Sequence, residues 1–179
     1  MKITLEFLNK FNACDGGIKF VEEKGLIRME TVDFIEKLIE FDKLPWANWL
    51  TVRVLDKIDR VKYAVFAAEQ VIDIFEKEYP DDDAPSKAID AAKAYIDNPS
   101  YAAAEDAYAA AHAVCTCHAV SYAAAHAAYT AGYDAPYVDA AYAIHAAYIA
   151  AHAAARATDD KMFKKIIKNG IQLLKEALK

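Results

Sequence analysis

From the third residue onward the chain places its apolar residues three and four apart, and no stretch alternates as a strand would. Gly and Pro fall between these periodic segments, so the boundaries can be read directly. A short helix is predicted over 4–11, with Thr4 as its N-cap, then a turn at Cys14-Asp15-Gly16-Gly17 and helices near 17–24 and 30–42. Pro45 suits the first turn of PWANWLTVRVLDKIDRVKYAVFAAEQVIDIFEKEY, which runs to Tyr79 or breaks near Asp56 and has the pattern of a central core helix. Asp83-Ala84-Pro85 and Asp134-Ala135-Pro136 read as the same device, an Asp cap with Pro in the first turn, opening helices at 84–96 and 135–157. Asn98-Pro99 opens a helix through YAAAEDAYAAAHAVCTCHAVSYAAAHAAYTAGY, with Gly132 as its terminator. Thr158-Asp159 caps a last helix with an apolar Met162/Phe163/Ile166/Ile167/Leu174 face, a Lys-rich outer face and a middle weakened by Asn169-Gly170. The expectation is an all-α, single-domain bundle over 1–179. It comprises a conventional core (1–97), an Ala/Tyr/His-rich helix pair (98–158) and an amphipathic C-terminal helix (159–179).

The helix pair has an unusual alphabet. At 100° per residue, Tyr101, Glu105, Tyr108, His112, Cys115, His118, Tyr122, His126 and Tyr129 follow one drifting stripe, and the rest of the circumference is chiefly Ala. Tyr137, Tyr142, His145, Tyr148, His152 and Arg156 share one broad side of the next helix. Ala has the highest helix propensity and lets helices approach closely, so an antiparallel pair in contact through Ala is expected. Tyr and His carry apolar rings with polar tips, and a row of them suits a half-wet boundary better than a dry core. The rings are therefore expected to line a groove or an interface, the competing reading being a structural face satisfied internally.

Composition narrows the function classes. A net charge of −6 over 179 residues argues against binding a nucleic-acid polymer, which needs a clustered basic surface. No uninterrupted apolar run is long enough to span a membrane, and the N-terminus lacks the apolar stretch of a secretory signal. Three cysteines do not make a disulfide framework, so a reduced, cytoplasmic protein is expected.

Catalytic and metal motifs are weak. In HAVCTCH (112–118) His112, Cys115 and His118 are spaced so that two could share a zinc ion, but Cys117 points about 160° from Cys115 on a helix. His145 and His152 lie roughly 10 Å apart along a helix axis, too far to share a metal. Cys14 has no His nearby in sequence to activate it. No phosphate loop, nucleophile elbow or H-E-x-x-H occurs. Neither a metal, a cofactor nor an enzymatic activity is expected.

The opening ITLEFLNKFNACDGG, the central WANWL, the AAEQVIDIFEKEYPDDDAPSKAIDAAKAYI block and the Ala/Tyr-rich tail together resemble a group of phage- and bacteria-encoded immunity proteins. The resemblance spans most of the chain and carries no catalytic motif. It implies a role in conflict, neutralising a toxin or blunting a defence system, through binding more than catalysis.

These readings converge on a sequestering protein of immunity or counter-defence type. It would hold a small planar, nucleotide-like ligand in a groove lined by Tyr108, His112, Tyr122, His126, Tyr129, His145, Tyr148, His152 and Arg156, with Trp49 and Arg53 as the opposite wall. Tyr faces stack on planar ligands, and Arg grips a phosphate in a fork. Imidazoles titrate near neutrality, so affinity for an anion should change between roughly pH 5.5 and 7.5. The alternative is an inhibitor that occludes a toxin or defence enzyme through its Tyr-rich face. A third reading is self-association through Ala.

Overall fold

Eleven α-helices make up the regular structure of the computed structural model, which describes residues 1–114, 118–133 and 140–177, with backbone only at 133 and 140–145. Among the described residues there is no strand, only an isolated bridge between Lys2 and Glu30. The protein is all-α. No helix among the described residues is long and apolar enough to cross a membrane.

The N-terminal helices follow the predicted punctuation. The backbone N–H of Phe7 donates to Thr4 Oγ1 at 3.2 Å and opens α1 (Leu5–Lys10). Cys14, in extended conformation, is the N-cap of α2 (Asp15–Glu23), so Gly16 and Gly17 lie inside its first turn and not in a preceding loop. After α3 (Thr31–Glu40) comes the long apolar stretch, which forms three helices: α4 (Leu44–Val54), α5 (Lys57–Glu69) and α6 (Ile72–Glu78). Asp56 causes the first break by accepting the Asp59 N–H at 2.8 Å. Buried Arg60 spans that break, donating to the carbonyls of Val52 (3.1 Å) and Leu55 (3.0 Å) that the helix end leaves open. The second break, at Gln70-Val71, has no sequence signal that the periodicity reveals. α5 is enclosed on most of its circumference, through Val61, Tyr63, Ala64, Ala67 and Ala68, and holds the central position expected of this stretch.

The second half departs further from expectation. In α7 (Ala84–Asp97) Pro85 sits in the first turn, but Asp83 makes no capping bond. Asp82 Oδ1 takes the Ala84 N–H at 3.1 Å, and Asp83 pairs with Lys87 instead. Asp134, the partner device, lies outside the described residues. The long Ala/Tyr/His helix is two helices, α8 (Tyr101–Ala113), capped by Ser100, and α9 (Ala119–Tyr133). Val114 leaves the helix at φ −79°, ψ 127°, and the chain folds back on itself. Gly132 stands one residue before Tyr133, the end of α9. It lies in the last turn of α9, where an added Cβ would stand 2.9 Å from Tyr108 Cβ and 3.1 Å from Tyr108 Cα. Only a residue without a side chain lets the hairpin close this tightly.

α10 (Ala140–Arg156) packs closely on α9, and the start of α9 lies beside the end of α10, so the two run antiparallel. Both helices bury alanine in the bundle: Ala123, Ala124, Ala127 and Ala131 of α9 and Ala147, Ala150, Ala151 and Ala154 of α10 are fully enclosed and belong to one cluster. α11 (Asp160–Ala177) closes the bundle, with Asp159 Oδ1 accepting the Met162 N–H at 2.8 Å. Gly170 marks a close approach and not a weak point, since an added Cβ would meet the Thr51 methyl and the Tyr63 ring. One cluster of buried side chains extends from Ile3 to Ile171. A polar thread crosses it: Tyr63 donates to Asn48 Oδ1 at 2.8 Å, and Asn48 Nδ2 donates to the carbonyl of Tyr148 at 3.1 Å.

Candidate functional site

The hairpin of α8 and α9 sorts its residues by size. Ala104, Ala107 and Ala111 of α8 and the alanines of α9 turn inward, so the rings are left on the outer side. There they form a ladder: Tyr122 to His126 (4.4 Å between centroids), His126 to Tyr129 (5.6 Å), Tyr129 to His112 (5.3 Å) and His112 to Tyr108 (4.6 Å). Each pair is edge-to-face, the geometry ring quadrupoles favour. Tyr129 Oη and His112 Nδ1 lie 3.2 Å apart, within hydrogen-bond distance. Tyr108 and Tyr122 keep 39% and 37% of their surface exposed, so the ladder is the half-wet boundary the composition implies.

At the Tyr122 end the ladder reaches a groove between the start of α9 and the end of α10. It holds about 440 Å³ and is lined by His118, Ala119, Tyr122, Ile149, His152, Ala153 and Arg156. A second depression, of about 340 Å³, shares His152 and Arg156 and adds Asp42, Asp159, Asp160 and Phe163. His152 is fixed between Tyr148 (5.6 Å) and Phe163 (5.7 Å, stacked), and its enclosed Nδ1 has no hydrogen-bond partner among the described residues. His118 is held by Glu78 (3.7 Å) and by the rings of Phe75 and Tyr79.

The structure divides the predicted site. Tyr122, His152 and Arg156 line one groove. Tyr108, His112, His126 and Tyr129 line the ladder, on the outer side of the hairpin, because the predicted single stripe is folded in two at Val114. The same fold separates the HAVCTCH pair. His112 faces Tyr129 and His118 faces Glu78, while Cys115 and Cys117 lie outside the described residues. The His145 side chain is also outside them. Among the described residues no cluster has the ligands to hold a metal. Trp49 and Arg53 do not form the groove's far wall. The Arg53 guanidinium stacks on Trp49 at 4.0 Å and donates to the Trp49 carbonyl at 2.8 Å. Its outward neighbour is the Tyr148 phenol. Burial pushes Arg53 down to about 10, the nearby phenol opposing that shift, so the guanidinium is charged at neutral pH. Burial pushes the Tyr148 phenol up, and Arg53 partly offsets it.

Sequence reasoning missed Ile149 and undervalued His118. The first carries no chemical signal, and the second was read as a partner of His112.

The sequence profile of DUF6931, described as a family of unknown function, matches residues 34–174. The chain belongs to that family. The DUF6931 region takes in every residue of the groove and the ladder, and it leaves α1 and α2 outside. No curated protein and no solved structure matches the chain. The chemistry of this DUF6931 member must therefore be argued from its own side chains.

Proposed function

We propose that the α9–α10 groove binds a small planar anion of nucleotide type and that the protein acts by sequestering it. The observation that carries this reading is the convergence of Tyr122, His118, His152 and Arg156 on one open space of about 440 Å³, a size suited to a single nucleotide-like molecule. Ile149, Ala119 and Ala153 supply an apolar floor, and the half-exposed Tyr122 ring offers a face for a planar group. Arg156, at the end of α10, presents a fork of donors for phosphate or carboxylate where the helix dipole is negative and tolerates a cation best. Among the described residues no carboxylate lines the groove itself, and Glu78 stands beside it, 3.7 Å from His118. The resemblance to immunity proteins favours sequestration in a conflict between phage and host over delivery or turnover.

Calorimetry against a panel of nucleotides and cyclic nucleotides tests this. Saturable heat that falls at least about tenfold in both Arg156→Ala and Tyr122→Ala is the expected result, since a charge-assisted fork and a stacked ring each contribute more than about 1.4 kcal/mol. A folded protein that gives no heat with any of them overturns it. A protein partner captured in stoichiometric amount, and lost on Tyr108→Ala rather than Arg156→Ala, supports the second reading, occlusion of a toxin or defence enzyme. The exposure of Tyr101, Tyr108 and Tyr122 on one hairpin favours that reading, as Tyr is a preferred interface anchor.

A further inference from the structure

A separate cavity of about 170 Å³ lies among α1, α2, α3 and α4 and shares no lining residue with the groove. Its walls differ in kind. α3 and α4 contribute only large side chains, Phe34, Leu38, Trp46, Trp49 and Leu50, whereas the α1–α2 segment adds the small Ala13, Cys14 and Gly17 beside Leu8 and Val21. Asn12, in left-handed conformation at φ 54°, ends α1, and the Ala13 N–H returns to the Leu8 carbonyl at 2.9 Å. That turn fixes the small wall in place.

The two indoles of the lining are each held by a neighbour outside it. Trp46 lies edge-on to Phe20 at 5.4 Å, with Lys43 over its face, and Trp49 is stacked under Arg53. An apolar void of about 150 Å³ in a protein core stays dry and takes up benzene. This one is slightly larger, has two indoles and a phenyl ring for edge-to-face contact, and opens toward the exposed Cys14 and Asn12.

We propose that this cavity is a binding site for a small single-ring aromatic molecule, benzene- to phenol-sized, with its ring among Phe34, Trp46 and Trp49. Any polar substituent points toward Asn12 and Cys14 at the mouth.

The chain supplies its own reporters. Trp46 and Trp49 are its two tryptophans, and Cys14 is an exposed free thiol at the entrance. Iodobenzene titrated into the full-length protein should quench tryptophan fluorescence saturably, and benzene should restore it. Benzene should also slow modification of Cys14 by a thiol reagent. Ala13→Leu, which fills the space from the half-buried small wall, should weaken quenching at least about tenfold and leave nucleotide binding in the groove unchanged. Should Ala13→Leu fold poorly, protection of Cys14 in the unaltered protein decides alone. Quenching that rises linearly without competition, with no protection of Cys14, overturns the proposal. Equal displacement by a linear alkane overturns the assignment to aromatic rings.

Discussion

Asn48 does more for the architecture than its size suggests. It is fully buried, accepts from the Tyr63 hydroxyl and donates to the Tyr148 carbonyl, so one amide satisfies a polar group on α5 and another on α10. Replacing it with Ala strands the Tyr63 hydroxyl in an enclosed space, at about 1–3 kcal/mol, while the Tyr148 carbonyl keeps its bond within α10. Asn48→Ala should lose about 1–3 kcal/mol in chemical denaturation. Nothing in the sequence marks Asn48 apart from other asparagines. A buried hydrogen bond between residues a hundred positions apart leaves no periodic trace, whereas local caps such as Thr4 and Asp159 are legible because donor and acceptor are three residues apart.

Among the elements, the α8–α9 hairpin separates what the pattern predicted from what the chain does. The ring stripe continues in phase through Val114, with steps of four, three, three and four from Tyr108 to Tyr122. Periodicity alone therefore reads one helix where there are two, since Ala supports a helix on either side of the turn. Gly132 was legible as a special position, but the reason for it is spatial: Tyr108 of the neighbouring helix occupies the place of its side chain. Gly132→Ala gains about 1 kcal/mol of helix propensity and loses more by forcing the α8 backbone away. A net loss of about 1–2 kcal/mol, read from the shift of the denaturant midpoint, is expected. An increase in stability would mean that the hairpin yields at that point.

Across the whole molecule, the candidate site was legible in kind and not in arrangement. Tyr, His and Arg do gather at a surface, but Trp49 and Arg53 meet them through Tyr148 and not across the groove. Amphipathic spacing gives the face of a helix, and only tertiary packing decides which faces meet. The same packing sets an alkaline limit on stability. Burial holds the Tyr63 phenol far above its usual value, so the folded state keeps a proton that the unfolded chain gives up. Its contribution is complete below about pH 10 and is lost as pH rises beyond, at about 1.4 kcal/mol per pH unit. Tyrosinate absorbance should therefore appear in two steps, exposed phenols first and the Tyr63 step together with unfolding.

The methyl groups that α9 and α10 bury give these rods almost no corrugation. Buried alanines recur along both rods at helical spacing, one turn being about 5.4 Å, so they alone offer little to distinguish one register from the next. Along its own axis α10 is held by Asn48 of α4, fastened to the Tyr148 carbonyl, and by the His152 ring stacked against Phe163 of α11. Those fasteners hold α10, and Arg156 with it, to α4 and α11. Tyr122 is placed by the packing of α9 on α5, α7 and α8, so the width of the groove is set from two sides.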